Sequence, residues 1–305
     1  MRLIIHTGFA ILFFLAAMTE TASAALIIQG YSPDQHERFS GTSFIGNGLD
    51  LSGISNWRPN VNALNTWATM ISPSYFLAAR HNAPAIGTAF TFYDGNSLLG
   101  GSATRTVISG ETLVDSDLWI GRLNSAVPST IAKYPIATGN LSGATLAVVG
   151  SSTTVDGQRL GRNVVDLQFD GFNSPNLTGT GDIYIYDFDS TSSAGPDEAY
   201  LQGGDSGAPS LTLVGGNLAI TGIHWFIYGP SLIPGTDAEF GSGDSRVGSY
   251  MNSINAAMSG SGEFATFVAV PEPSSLLITS SMIAGYLLIR RRHPSKGPGS
   301  VSNNV

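Results

Sequence analysis

Between residue 25 and about residue 268 this chain never sustains a long apolar run. Short apolar or alternating runs recur instead: Thr66–Ser72, Tyr75–Ala79, Ala89–Tyr93, Thr104–Ser109, Ala144–Gly150, Val164–Phe169, Asp182–Tyr186 and Leu218–Tyr228. Turn-formers such as Asp94-Gly95-Asn96 and Asp156-Gly157 cut them apart. Runs of this length and period predict β-strands. The 37 glycines, with many Ser, Thr, Asn and Asp, favour turns over long helices. No internal repeat of fixed period is present. One segment departs from the pattern: in Ser245–Met258, Val247, Tyr250, Met251, Ile254 and Met258 fall at helical spacing, with Gly260 as a stop. The expectation is an all-β body closed by one amphipathic helix.

Three function classes are excluded or disfavoured by composition. The chain has no cysteine, so it has no disulfide, thiolate metal site or cysteine nucleophile. The net charge is −8; Arg2 and Glu20 cancel in the first 24 residues, and the tail from residue 271 carries +3, leaving −11 for the body. Such a body repels a phosphate backbone, so nucleic acid is not an expected partner. No phosphate-cradling loop or zinc motif appears, and no cofactor or metal is expected. Asp187, Asp189, Asp197 and Glu198 cluster in a Ser/Gly-rich stretch that offers calcium-type oxygens without EF-hand spacing; a solvated loop is the simpler reading.

Both ends carry the marks of addresses. Residues 1–24 have a basic start (Arg2), an apolar run from Leu3 to Ala17 and a small-residue cleavage site at Ala22-Ser23-Ala24, as a secretory signal does. At the other end, Val270-Pro271-Glu272-Pro273 precedes sixteen mostly apolar residues, Ser274 to Ile289, and then Arg290-Arg291-Arg292. The basic cluster orients such a span with residues 294–305 in the cytoplasm. This tripartite tail, residues 269–293, resembles the PEP-CTERM sorting signal of Gram-negative bacteria. The resemblance implies recognition by an exosortase-type enzyme during export to the cell surface or to an exopolysaccharide matrix. A plain single-pass anchor is the alternative. Asn140-Leu141-Ser142 and Asn176-Leu177-Thr178 match a glycosylation pattern that a bacterial sorting tail makes irrelevant.

The body also carries the parts of a nucleophilic site. Ser206 sits in Gly203-Gly204-Asp205-Ser206-Gly207-Ala208-Pro209. A serine hydroxyl is a poor nucleophile unless an imidazole takes its proton, and the imidazole needs a carboxylate to fix its tautomer. The body has three histidines, His36, His81 and His224. His36 lies in a polar stretch, Pro33 to Arg38, that reads as solvated, whereas His81 ends an apolar strand-like run. Asp117 opens Asp117-Leu118-Trp119-Ile120-Gly121-Arg122-Leu123, and Asp115 is its close rival. By itself a Gly-Asp-Ser-Gly stretch is also an ordinary turn.

In the order His, Asp, Ser these stretches resemble the trypsin/chymotrypsin superfamily. Leu77-Ala78-Ala79-Arg80-His81 parallels its Thr-Ala-Ala-His stretch with an inserted arginine, and Gly204 to Pro209 parallels Gly-Asp-Ser-Gly-Gly-Pro. The resemblance implies two six-stranded antiparallel β-barrels with a C-terminal helix. Barrel one, residues 25–140, would carry His81 and Asp117; barrel two, residues 141–268, would carry Ser206. It implies hydrolysis of protein or peptide substrates with Ser206, His81 and Asp117 catalytic and the Gly204 and Ser206 N–H groups as oxyanion hole. Asp205 is then structural, pairing in the family with a freed amino terminus. Ile27-Ile28-Gln29-Gly30 resembles the mature start of those enzymes, which implies trimming to Ile27. Tyr200, Leu201, His224, Trp225 and Phe226 map to the primary specificity pocket. In glutamyl endopeptidases, which Gly222-Ile223-His224-Trp225 resembles, such a histidine binds the substrate carboxylate. His224 facing Asp117, or buried as a core histidine, are the other readings. A protease-fold adhesin without turnover and an esterase with the same triad remain alternatives to a peptidase.

Overall fold

The computed structural model describes residues 25–60, 62–173, 179–188, 195–229 and 240–271. The signal segment, Asn176, Asp189, the apolar span and the basic cluster lie outside the described residues. Among the described residues no helix is long and apolar enough to cross a membrane.

The chain is mostly β. After β1 (Ile27–Ile28) and one helical turn, α1 (Pro33–His36), come β2 (Ile54–Trp57), β3 (Thr66–Met70), β4 (Tyr75–Ala79), β5 (Ala89–Tyr93), β6 (Ser102–Thr112) and β7 (Leu118–Leu123). These last six form an antiparallel sheet in the order β2-β3-β4-β7-β6-β5. It curls until its outer strands meet: Ser55 Oγ on β2 donates to the Thr91 carbonyl on β5 at 2.8 Å. The result is a nearly closed barrel. Strand β4 is flanked on both sides and all five of its residues are buried, which explains its unbroken apolar run. Strand β5 alternates buried and half-buried residues, as its alternating sequence predicts.

The second half contains β8 (Ile136–Thr138), β9 (Thr145–Ser151), β10 (Gln158–Val164), β11 (Leu167–Asn173), β12 (Thr180–Phe188), β13 (Ala199–Tyr200), β14 (Pro209–Val214), β15 (Asn217–Tyr228), β16 (Phe240–Arg246), α2 (Met251–Ala257) and β17 (Phe267–Ala269). Seven of these strands run in the order β10-β9-β14-β15-β16-β12-β11; β8 adds to β15, and β17 adds to β8. The sheet therefore has nine strands, not the six expected. The two additions, β8 and β17, pair in parallel. End strand β10 approaches β12 and β13 through Asn163, whose amide donates to the Asp187 and Ala199 carbonyls at 2.8 and 3.0 Å. The chain passes from the first sheet to the second between Leu123 and Ile136, ahead of the boundary expected near residue 140. The run Val164–Phe169, expected as one strand, spans the end of β10 and the start of β11.

One core joins the sheets. Trp67, Leu77, Leu118 and Ile120 pack with Val149, Leu160, Leu211 and Ile220 in a single buried cluster that also takes Val247, Ile254 and Met258. The C-terminal segment thus buries the expected face, with one correction: Met251 is 36% exposed. The α-helix starts only at Met251. Before it Tyr250 is pinned, its hydroxyl accepting the Asp182 N–H at 2.7 Å and donating to the Asp115 carbonyl at 2.9 Å. Val247–Tyr250 form a 3-10 turn, and Tyr250, at φ −107° and ψ 21°, caps the α-helix that follows.

Aromatic rings in the first barrel lie directly over glycines. A Cβ at Gly121 would come within 2.3 Å of the Phe76 and Trp119 rings, and one at Gly110 within 1.9 Å of Trp119. Gly121→Ala and Gly110→Ala are each expected to lower stability by about 1–3 kcal/mol, the usual cost of overpacking. Urea denaturation followed by tryptophan fluorescence measures it, and an unchanged midpoint would contradict this packing.

Candidate active site

Sheet register brings the first two expected residues together. Ala79, the last residue of β4, pairs with Leu118, the first of β7. One step beyond that pair, the Arg80 N–H donates to the Asp117 carbonyl at 2.7 Å. The chain then turns in a 3-10 helix over Arg80–Asn82. This turn swings His81 over the Asp117 carboxylate: Nδ1 lies 2.6 Å from Oδ2, and the His81 backbone N–H donates to Oδ1 at 3.1 Å. Asp117 is 1% exposed, whereas His81 faces solvent. Burial pushes the Asp117 carboxyl above its ordinary pKa; the His81 ring and N–H and the Arg80 charge act against that push. With Nδ1 held by the carboxylate, Nε2 is the nitrogen left for chemistry. Asp115 is exposed and sits at φ 53°, its carbonyl taken by Tyr250. It is not the partner of His81.

Ser206 comes from the other sheet, three residues before β14. The residue after His81 ties it to this pair: Asn82 Nδ2 donates to the Ser206 carbonyl at 3.1 Å and to the Asn65 carbonyl at 2.6 Å. Gly207, at φ 96°, lies so near the end of β4 that a Cβ there would be 3.1 Å from Ala79 N. Only glycine suits that conformation and that contact. The Ser206 hydroxyl makes no hydrogen bond to the His81 ring in this structure; such bonds are commonly long without substrate.

The loop around Ser206 is held on both sides. Trp67 Nε1 from the first sheet and Ser151 Oγ from the second both donate to the Gly204 carbonyl, each at 2.9 Å. The Asp205 N–H donates to the Gln202 carbonyl at 3.0 Å, and the Ala208 N–H to the Asp205 carbonyl at 2.9 Å. Because a trans peptide opposes its C=O and N–H, fixing the Asp205 carbonyl aims the Ser206 N–H the other way. Among the described residues neither the Ser206 nor the Gly204 N–H has an acceptor. Gly204 adopts φ 102°, a value that side chains resist.

Asp205 is fully buried. Its Oδ1 accepts the Ser151 N–H at 2.6 Å and its Oδ2 the Gln202 N–H at 2.7 Å. Burial pushes its pKa up to about 6 against these donors and the charge of His224. Among the described residues no amine is hydrogen-bonded to it. Ile27 is 43% exposed and pairs with Tyr200; the buried residue is Leu26, whose N–H donates to the Ser151 carbonyl at 3.0 Å. Trimming to Ile27 would remove that buried leucine.

A cavity of about 120 Å³ opens beside Ser206, lined by Leu201, Gln202, Gly203, His224, Trp225, Phe226 and Ile227. Two of the expected pocket residues need correction. Tyr200 does not line it; its ring packs between Phe188 and Phe240. His224 touches it, but its side chain is wholly buried. Nδ1 lies 2.8 Å from Asp244 Oδ1 and Nε2 lies 2.8 Å from the Val149 carbonyl. Neither nitrogen is left for a substrate carboxylate, so His224 is a core histidine. It does not face Asp117. Trp225 is the extra residue of a β-bulge, since His224 pairs with Asp244 and Phe226 with Gly243. Phe226 stacks on Phe172 at 5.6 Å between ring centres, making an apolar wall. Arg80 points toward Gly179 and Trp225. Two larger hollows, about 440 and 460 Å³, flank Leu213 and Leu218 and touch none of His81, Asp117 and Ser206.

His36 is also buried, contrary to the solvated reading: α1 folds it inward, and Nε2 lies 3.2 Å from Asp197 Oδ1. Asp197 also faces Arg162, and Asp187 accepts from Tyr228. Two members of the expected carboxylate cluster, Asp187 and Asp197, thus have protein partners. Among the described residues no group of three acidic or imidazole side chains is placed to hold a metal.

Compared with known proteins, the chain matches no family model. No curated protein matches it.

Asn82→Ala is expected to cost about 1–3 kcal/mol, because two carbonyls lose their shared donor. Comparison of urea midpoints with wild type checks it, and a loss below about 0.5 kcal/mol would contradict the bridge between the sheets.

Proposed function

We propose that this chain is a serine endopeptidase of chymotrypsin-like architecture. The observation that carries the reading is the His81–Asp117 pair, 2.6 Å apart over a buried carboxylate, tied through Asn82 to Ser206 on its constrained turn. In this reading Ser206 Oγ attacks the substrate carbonyl carbon while His81 Nε2 takes its proton. The same nitrogen returns that proton to the leaving amine. Water, deprotonated by His81, then releases the acyl group. Asp117 holds the imidazole tautomer and stabilises the imidazolium. The unpaired Gly204 and Ser206 N–H groups are suited to receive the oxyanion, a role that typically contributes about 3–4 kcal/mol.

The cavity favours an apolar side chain of modest size before the scissile bond. Acidic preference lost its basis when the His224 nitrogens proved occupied, and among the described residues no carboxylate lines the cavity to select Lys or Arg. On sequence alone, we extend the proposal to export through the segment 1–24 and surface or matrix retention through the sorting-type tail 269–293, handled by an exosortase-type partner.

A fluorophosphonate probe is expected to label Ser206 in the wild type and not in His81→Ala. Asp117→Asn should slow labelling by about 10⁴-fold, and Asp115→Asn should not change it. Absence of wild-type labelling would favour the second reading, a protease-fold adhesin, which the missing His81–Ser206 hydrogen bond motivates. Comparing ester and amide substrates separates an esterase from a peptidase. Among chromogenic peptides, those with Ala, Val or Leu before the cleaved bond are expected to exceed those with Glu or Lys by about tenfold or more. Equal rates for Glu would contradict the pocket described.

A further inference from the structure

Under the Ser206 loop lies a buried charged group that the proposed reaction does not use. Both acceptors of the His224 ring are oxygens: the Asp244 carboxylate and the Val149 carbonyl, each at 2.8 Å. A carbonyl accepts only, so Nε2 carries a proton. Asp244 already receives the Tyr184 and Tyr186 hydroxyls at 2.9 and 3.2 Å, which suits an ionised carboxylate, so Nδ1 donates as well. A ring that donates from both nitrogens is an imidazolium. His224, Asp244 and Asp205 are all 0% exposed.

The backbone couples this ring to the Ser206 turn. The His224 carbonyl accepts the Gly207 N–H at 3.0 Å, and the His224 N–H donates to the Ala208 carbonyl at 2.9 Å. Asp205 meets the Ser151 and Gln202 N–H groups directly, and His224 and Asp205 act on each other as charges. Among the described residues no Lys or Arg is hydrogen-bonded to Asp205.

We infer that His224 and Asp244 are positioning residues: the buried imidazolium supplies the positive charge that keeps Asp205 ionised and so holds the Gln202–Ser206 loop in its reactive shape, without a freed amino terminus. The inference rests on the peptidase reading. Burial alone would lower the His224 pKa; the Asp244 carboxylate, then Asp205 and the Val149 carbonyl, outweigh it and raise it. The Asp205 carboxyl, titrating about 6, is ionised above that pH and loses its charge below it. Two groups therefore report the arrangement: the ring, whose charged form is favoured, and the carboxylate, which loses its charge on the acid side. Leu26 is buried beside this loop, so the inference expects a formed loop without a chain start at Ile27.

The test uses the full-length chain. In [¹⁵N]histidine-labelled protein the His224 ring, identified by its loss in His224→Gln, is expected to be doubly protonated at pH 7. A neutral tautomer there would overturn the inference. Fluorophosphonate labelling of Ser206 should slow at least about tenfold in His224→Gln, and the acid limb of its pH profile should move upward by about one unit as Asp205 loses its counter-charge. A chain trimmed to start at Ile27 should label no faster than the full-length wild type. Wild-type labelling and an unmoved limb in His224→Gln would count against the inference, as would labelling only after the amino terminus is freed. If wild type never labels, the peptidase reading fails by itself. The inference is then judged on the ring signal and on the Asp205 carboxyl in [¹³C]aspartate protein, expected to titrate near pH 6 and higher in His224→Gln. If His224→Gln does not fold, the ring signal in wild type and the labelling profile of Asp244→Asn decide.

Discussion

A single carbonyl organises the seam between the two sheets. The Gly204 oxygen takes one hydrogen bond from Trp67 of the barrel and another from Ser151 of the larger sheet. Buried carbonyls need partners, and here the partners belong to different halves of the molecule. Asn82 repeats the device two peptides further on, joining the Asn65 and Ser206 carbonyls. The shared apolar cluster of Trp67, Leu77, Val149 and Leu211 provides the adhesion. The polar bridges provide register: they decide where the Ser206 turn lies relative to the His81–Asp117 pair.

Much of the barrel was legible in the sequence because its strands sort by burial. Tyr75–Ala79 and Ala89–Tyr93 match β4 and β5 residue for residue. Strand β16 was not legible. Phe240-Gly241-Ser242-Gly243-Asp244-Ser245-Arg246 reads as loop, yet its interior is buried between β15 and β12. Its glycines are flat ground for rings from the neighbouring strand: Cβ atoms at Gly241 and Gly243 would collide with Tyr228 and Phe226. A strand whose apolar surface is supplied by its neighbour has no hydrophobic period of its own.

The same blindness hid the partner of His224. The family resemblance placed that histidine beside a pocket, but nothing local announced Asp244 across the β15–β16 pairing. His36 was misjudged for a related reason, since Asp197, the group that makes its burial tolerable, lies 161 residues away. The local motifs around His81 and Ser206 were visible because each is set by a few neighbouring residues. Long-range charge pairing was not, because it depends on which strands meet.

The divided origin of the Ser206 anchors has a consequence for the order in which the chain matures. His81 and Asp117 belong to one sheet whose strands are complete by Leu123, long before Ser206 is synthesised. The turn that carries the hydroxyl acquires its shape only when Trp67 and Asn82 meet Ser151 and His224. On the peptidase proposal, a half-folded chain would thus hold a base with no nucleophile to serve, and reactivity would arise in the same step that closes the molecule.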